Sequence, residues 1–244
     1  METISIFLAD PQVLFREGIH FTISEDDDIE VIGEAACNNE VFKFIRDNPP
    51  NIAILNANQG FPNGIDITSY IKRNTPTVSI ILIIDDNDEE QLLSAIKAGA
   101  SAYITKYITP DDLLTTIRRV ANGVCPISET LFKPGIALRI INKFEFFWLI
   151  NLFNEEMNNL LLHLSHLESN LLNYIAEGIS AEQVSQVLRI DEKTIKRHLN
   201  VILTKIMINE RICEVIEIIQ LRSKPTISNI NDNETNSSHN QTRL

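Results

Sequence analysis

Cysteine is scarce. Cys37, Cys125 and Cys213 are the only three in 244 residues, and they stand far apart. Their spacing excludes a disulfide-framework scaffold and a cysteine-built metal site. An odd, sparse count fits reduced thiols in a cytoplasmic protein, with a single pairing left open. Long apolar runs are missing too. The one tempting segment, 136–152, is broken by Arg139, Lys143 and Glu145, so no membrane span is expected. The opening METISIFLADPQ is too short and too soon acidic for a secretion signal. No nucleophilic triad, metal-ligand cluster or glycine-rich phosphate loop occurs, so the chain is not read as an enzyme. No catalytic residue, metal or cofactor is assigned.

Basic charge is also in deficit, at a formal net of −12. A surplus of that sign argues against a polyanionic partner unless it is unevenly spread. It is uneven: residues 1–125 hold 19 acids against 9 bases, a net of −10, whereas residues 164–244 hold 10 against 9. Within Arg189–Arg211 there are 6 bases and 3 acids, a local +3.

Short apolar runs at Ile4–Ala9, Ile29–Ala36, Ile52–Leu55, Val78–Ile84 and Ala102–Thr105 alternate with amphipathic stretches. Five such units in about 120 residues predict a flavodoxin-like, doubly wound α/β fold with five parallel strands. Function in such sheets gathers at the carboxyl ends of the strands. Here those ends carry Asp10, Asn56, Ile84 or Asp85, and Lys106. Residues 126–163 change texture and are crowded with Phe144, Phe146, Phe147, Trp148 and Phe153. They predict one or two helices, beginning after Pro134-Gly135 and apolar on more than one face. Residues 164–222 are helical throughout. Ser165 and Glu168 form a capping box, Ser180 caps a short helix, and Asp191 caps a longer one over 192–206. A separate fourth helix is expected from Glu210 to Leu221. The Asn/Ser-rich tail, 223–244, predicts disorder.

Two sets of residues carry a family resemblance. IFLADPQVLFREG, PPNIAILNANQGFPNGIDIT and AIKAGASAYITK resemble a receiver domain. LSHLESNLLNYIAEGISAEQVSQVLRIDEKTIKRHLNVILTKI resembles the LuxR/NarL-type DNA-binding domain, at the family's own spacings. The resemblance implies a response regulator that binds double-stranded DNA through a helix-turn-helix, with a homodimer expected. The longer helix turns Ile195, Leu199 and Ile202 inward and Lys193, Lys196, Arg197 and Asn200 outward. Matching family positions contact DNA at Lys196, Arg197 and Asn200, while Lys193 and Lys205 are expected on phosphates. The bland alternative is that any surface helix carries Lys and Arg. Glu182 stands where the family often has a base, which favours a second reading: an interaction module that no longer reads DNA.

The receiver half departs further. The resemblance aligns the phosphoacceptor with Asn56, the acidic pair with Asp10 and Pro11, the switch hydroxyl with Ile84 and the lysine with Lys106. An amide is no phosphoryl acceptor, proline offers no side-chain oxygen to Mg²⁺, and isoleucine cannot hydrogen-bond a phosphoryl group. The expectation is a degenerate phosphorylation site in which Asp10, Asn56 and Lys106 form a neutral hydrogen-bonded cluster. Alternatively, the pocket still accepts a small ligand or partner protein as a phosphorylation-independent input. The expected organisation is a pseudo-receiver at 1–125, an apolar helical linker at 126–163, a DNA-binding domain at 164–222 and a tail. The linker's aromatic stretch belongs either to core packing between domains or to a surface for dimerisation or a partner.

Overall fold

The computed structural model describes residues 3–36, 38–58, 63–84, 88–153 and 160–223. Cys37, Asp85 and residues 224–244 lie outside the described residues, as does the side chain of Phe153. Strands β1 (Ile4–Ala9), β2 (Ile29–Ala35), β3 (Ile52–Asn56), β4 (Ser79–Ile84) and β5 (Ala102–Thr105) form one parallel sheet in the order β2-β1-β3-β4-β5. Helices α1 (Val13–Ser24), α2 (Asn38–Asp47), α3 (Gly64–Asn74), α4 (Glu89–Ala98) and α5 (Pro110–Ala121) connect the strands and close the unit. The expected doubly wound fold is present.

Alternation along the strands divides the core. Ile6, Leu8, Ile52, Ile54, Ile81 and Ile83 pack with α1 and α5 on one face of the sheet. Phe7, Ala9, Ala53, Leu55, Ile80, Leu82 and Ile84 face the other side, against α2, α3 and α4. Because β3 is buried at all five positions, its last residue, Asn56, is delivered into a covered rim. Gly64 is required there. A Cβ on it would lie 2.1 Å from the Asn56 carbonyl oxygen, so only glycine lets α3 start so close to β3. Asn63 and Asp66 complete the turn as a reciprocal capping box.

A 3₁₀ segment, Pro126–Phe132, crosses beside β5, with Ile127 N–H donating to the Ser101 carbonyl at 3.0 Å. Helix α6 (Pro134–Phe153) follows, beginning at Pro134 itself. Its Ile136, Ala137, Ile140, Phe144 and Phe147 are buried in the same cluster that covers the second sheet face. That cluster continues into α7 (His166–Ala176), α8 (Ala181–Leu188) and α9 (Glu192–Ser223). The aromatic stretch thus serves as interdomain core on one face of α6.

The expectation of two helices over 192–221 is overturned. Helix α9 is continuous for 32 residues, about 48 Å at ~1.5 Å per residue. Nothing at 206–210 breaks it, since IMINE has neither Gly nor Pro. Asn209, fully buried, spends its amide on another segment: Oδ1 accepts from Leu162 N–H at 2.7 Å and Nδ2 donates to the Leu162 carbonyl at 2.8 Å. An asparagine so engaged cannot compete with its own backbone.

The distal half of α9 lies on the receiver. Met207 sits against Gly99, where a Cβ would approach Met207 Cε to 2.6 Å and φ is +92°. Arg211 donates to the Lys72 carbonyl at 3.0 Å, and Arg73 pairs with Glu214 at 2.8 Å. Glu210 lies 2.9 Å from Lys143 of α6 and 3.9 Å from Lys97 of α4. Three elements therefore converge on one acid.

Replacing Asn209 with Ala strands the Leu162 N–H and C=O in a part-buried setting. The expected loss is about 2 kcal/mol, measured as a lower urea midpoint at unchanged slope.

Candidate functional site

The helix-turn-helix is assembled by local chemistry. Ser180 caps α8 reciprocally with Gln183. Arg189 ends α8 in the left-handed region at φ 55°, a conformation that favours glycine. Ser185 helps hold it, its hydroxyl donating to the Ile190 carbonyl at 2.6 Å. Asp191 then accepts from Thr194 N–H at 2.6 Å and starts α9. Those Thr194 bonds hold the Asp191 carboxyl below its usual range.

On α9, Ile195, Leu199 and Ile202 are fully buried, and Lys193, Lys196, Arg197 and Asn200 are exposed together on the outer face. The Lys196 ammonium pairs with Glu192 one turn back at 2.9 Å, which raises its pKa. Glu129 of the 3₁₀ segment, against which α9 packs, adds to the rise. His198 is half-buried with its Nδ1 enclosed, in keeping with a packing role. Glu182 is exposed on α8.

Lys205 departs from the expectation of a phosphate contact. Its amine lies 2.5 Å from Glu168 and 2.9 Å from the His163 carbonyl, with the side chain only 19% exposed. It ties α9 to the start of α7. Burial alone would push the Glu168 carboxyl up, but the Lys205 ammonium and the Ser165 N–H outweigh it, and the pKa is lowered.

At the strand ends, Asn56 Nδ2 donates to Asp10 Oδ2 at 2.6 Å, and both side chains are buried. Gln12 N–H donates to Asp10 Oδ1 at 2.7 Å, across Pro11. Asn58 N–H donates to Asn56 Oδ1 at 3.0 Å. The aspartate is therefore satisfied by neutral N–H donors. Ile84 is 3% exposed and belongs to the core. Lys106 is half-exposed and, among the described residues, makes no hydrogen bond or ion pair to Asp10 or Asn56. The expected cluster has two members rather than three. Sequence reasoning missed Arg16, whose guanidinium donates to the Asp10 carbonyl at 2.6 Å and to Glu34 at 3.0 Å. Glu34 is shared with His20. Only the pairing of β1 with β2 makes this contact, so no local signal announces it.

Among the described residues no group of three or more acids, histidines or cysteines is placed to hold a metal. No described helix is long and apolar enough to cross a membrane.

Comparison with known families assigns both halves. Residues 6–118 match the response regulator receiver domain, and residues 162–217 match the bacterial regulatory proteins of the luxR family. A receiver-domain match in the first half is thus followed by a luxR-family match in the second. The chain is 28% identical over 208 residues to an uncharacterized transcriptional regulatory protein, YhcZ, of Bacillus subtilis, covering 85% of this chain and 92% of that one. It is 25% identical over 218 residues to the response regulator VraR of Staphylococcus aureus, covering 89% and 97%. The response regulator RcsB of Salmonella typhimurium shares the fold at TM-score 0.50 and 20% identity, over 87% of this chain and 100% of that one.

Two outcomes are expected. Lys205→Met lowers stability by about 2 kcal/mol in denaturant titration, since it leaves a buried carboxylate unpaired. Because the folded Glu168 pKa is lowered, its contribution is present above the unfolded value of about 4.3. It is lost as pH falls through the folded value. The stability gap between wild type and Glu168→Gln therefore narrows on acidification below that point.

Proposed function

We propose that this protein is a DNA-binding transcriptional regulator whose receiver takes no aspartyl phosphate and serves as a phosphorylation-independent dimerisation or signal-input module. The observation that carries the receiver reading is the Asn56–Asp10 hydrogen bond. The group at the acceptor position is an amide that already engages the acid a metal would need, and no hydroxyl stands at Ile84 to register a product. Lys193, Lys196, Arg197 and Asn200 are assigned to the DNA face, with Lys196, Arg197 and Asn200 toward bases and Lys193 toward phosphate. Residues 1–125 form the pseudo-receiver, 126–163 the linker and 164–222 the DNA-binding unit, acting as a cytoplasmic homodimer. Exposed Glu182 supports the second reading, an interaction module that has lost duplex affinity.

Selection of bound fragments from genomic DNA, followed by anisotropy titration at several salt concentrations, tests this. Specific binding that weakens steeply with salt is expected. Arg197→Ala costs about tenfold or more in affinity for the selected duplex. An absence of binding to any duplex leaves the interaction-module reading. Incubation with acetyl phosphate and Mg²⁺ is expected to leave the intact mass unchanged; an acid-labile phosphoryl adduct overturns the pseudo-receiver.

A further inference from the structure

Helix α6 has a second face. Opposite its buried stripe, Leu138 (52%), Leu149 (45%) and Leu152 (54%) are exposed, flanked by Phe146 (50%) and Trp148 (53%). At 3.6 residues per turn these five occupy one side of the helix. Large apolar groups gathered this way mark an interaction surface rather than ordinary exposure.

The centre of the face is Leu138, Asn142, Glu145, Leu149 and Leu152, spaced four, three, four and three residues apart. This is the seam of a short two-helix pairing. We propose that a second copy of the chain fills it, with the two α6 helices antiparallel about a two-fold axis midway between Asn142 and Glu145. In that register Leu138 meets Leu149 of the other copy. Asn142 faces Glu145 of the other copy, its amide donating to the carboxylate, and the two-fold repeats both contacts. The face is self-complementary in this one arrangement: a parallel pairing sets Glu145 against Glu145. The five exposed side chains supply on the order of 100 Å² each, the larger part of the roughly 800 Å² per partner of a standard interface.

Lys143, on the same helix, is bound to Glu210 of α9. An α6 dimer would therefore hold two α9 helices at a set separation, as half-site recognition requires. This inference deepens the homodimer of the proposed function and rests on that part of it alone.

Sedimentation velocity of the full chain tests it, with circular dichroism confirming that each variant is folded. Wild type is expected to dimerise in the micromolar range. Leu149→Glu and Asn142→Glu each raise the dissociation constant at least about tenfold. Asn142→Glu combined with Glu145→Lys returns it to near wild type, because the new pair is again complementary across the axis. Should Leu149→Glu fail to fold, the Asn142 pair of variants decides alone. The proposal is overturned by a monomeric wild type, including one that dimerises only once residues 224–244 are removed. It is equally overturned if Asn142→Glu has no effect, if the double variant does not restore pairing, or if Leu14→Glu on α1 dissociates the dimer while the α6 variants do not. Dimerisation without duplex binding fails the DNA reading and leaves this one standing; duplex binding by a chain that never dimerises does the reverse.

Discussion

The fully buried amide of Asn209 is the constraint that fixes the middle of α9, from which its contacts to both halves extend. Its two hydrogen bonds to Leu162 fasten the segment before α7 to the middle of α9. The side chain is thereby removed from competition with the helical backbone, and α9 runs on through it. A continuous helix has two ends that cannot turn independently. The end carrying Lys193, Lys196 and Arg197 is mechanically joined to the end resting on α3 and α4.

Glu210 is the electrostatic counterpart of that join. It receives Lys143 from α6 and lies near Lys97 from α4, with only 19% of its side chain exposed. An acid so placed is a poor source of net stability, because desolvation offsets much of the attraction. Its effect is on geometry: cations from two elements are fixed around one point on a third. Met207 against Gly99 adds an apolar contact, at a position whose φ of +92° favours glycine. Together these contacts join the α/β unit, α6 and α9 through a shared apolar cluster.

The strand-end pair follows from strand order and residue type together. The topology brings β1 and β3 side by side and aims Asp10 and Asn56 at each other. Because Asn56 is an amide, the pair carries no like-charge repulsion, and the buried aspartate is satisfied by N–H groups. Ile84 takes its place in the core. Lys106, with no carboxylate opposite it at Asn56, stays apart from the pair.

The amino-acid sequence by itself determined whatever depends on near neighbours. The βα alternation, the capping box at Ser165, the cap at Ser180, and the inward set Ile195, Leu199 and Ile202 all follow from periodicity and from groups three or four residues apart. The polar identity of the strand ends was legible for the same reason. Only the tertiary structure decided what hangs on distant partners. That Lys205 belongs to Glu168 depends on a contact 37 residues away, and that Asn209 fastens α9 to the segment before α7 depends on Leu162, 47 residues from it. The two faces of α6 could not be sorted from the sequence, because both are apolar and periodicity cannot say which one meets a neighbour. Burial separates them: Ile140, Phe144 and Phe147 close against the chain's own core, and Leu138, Leu149 and Leu152 are left to the outside.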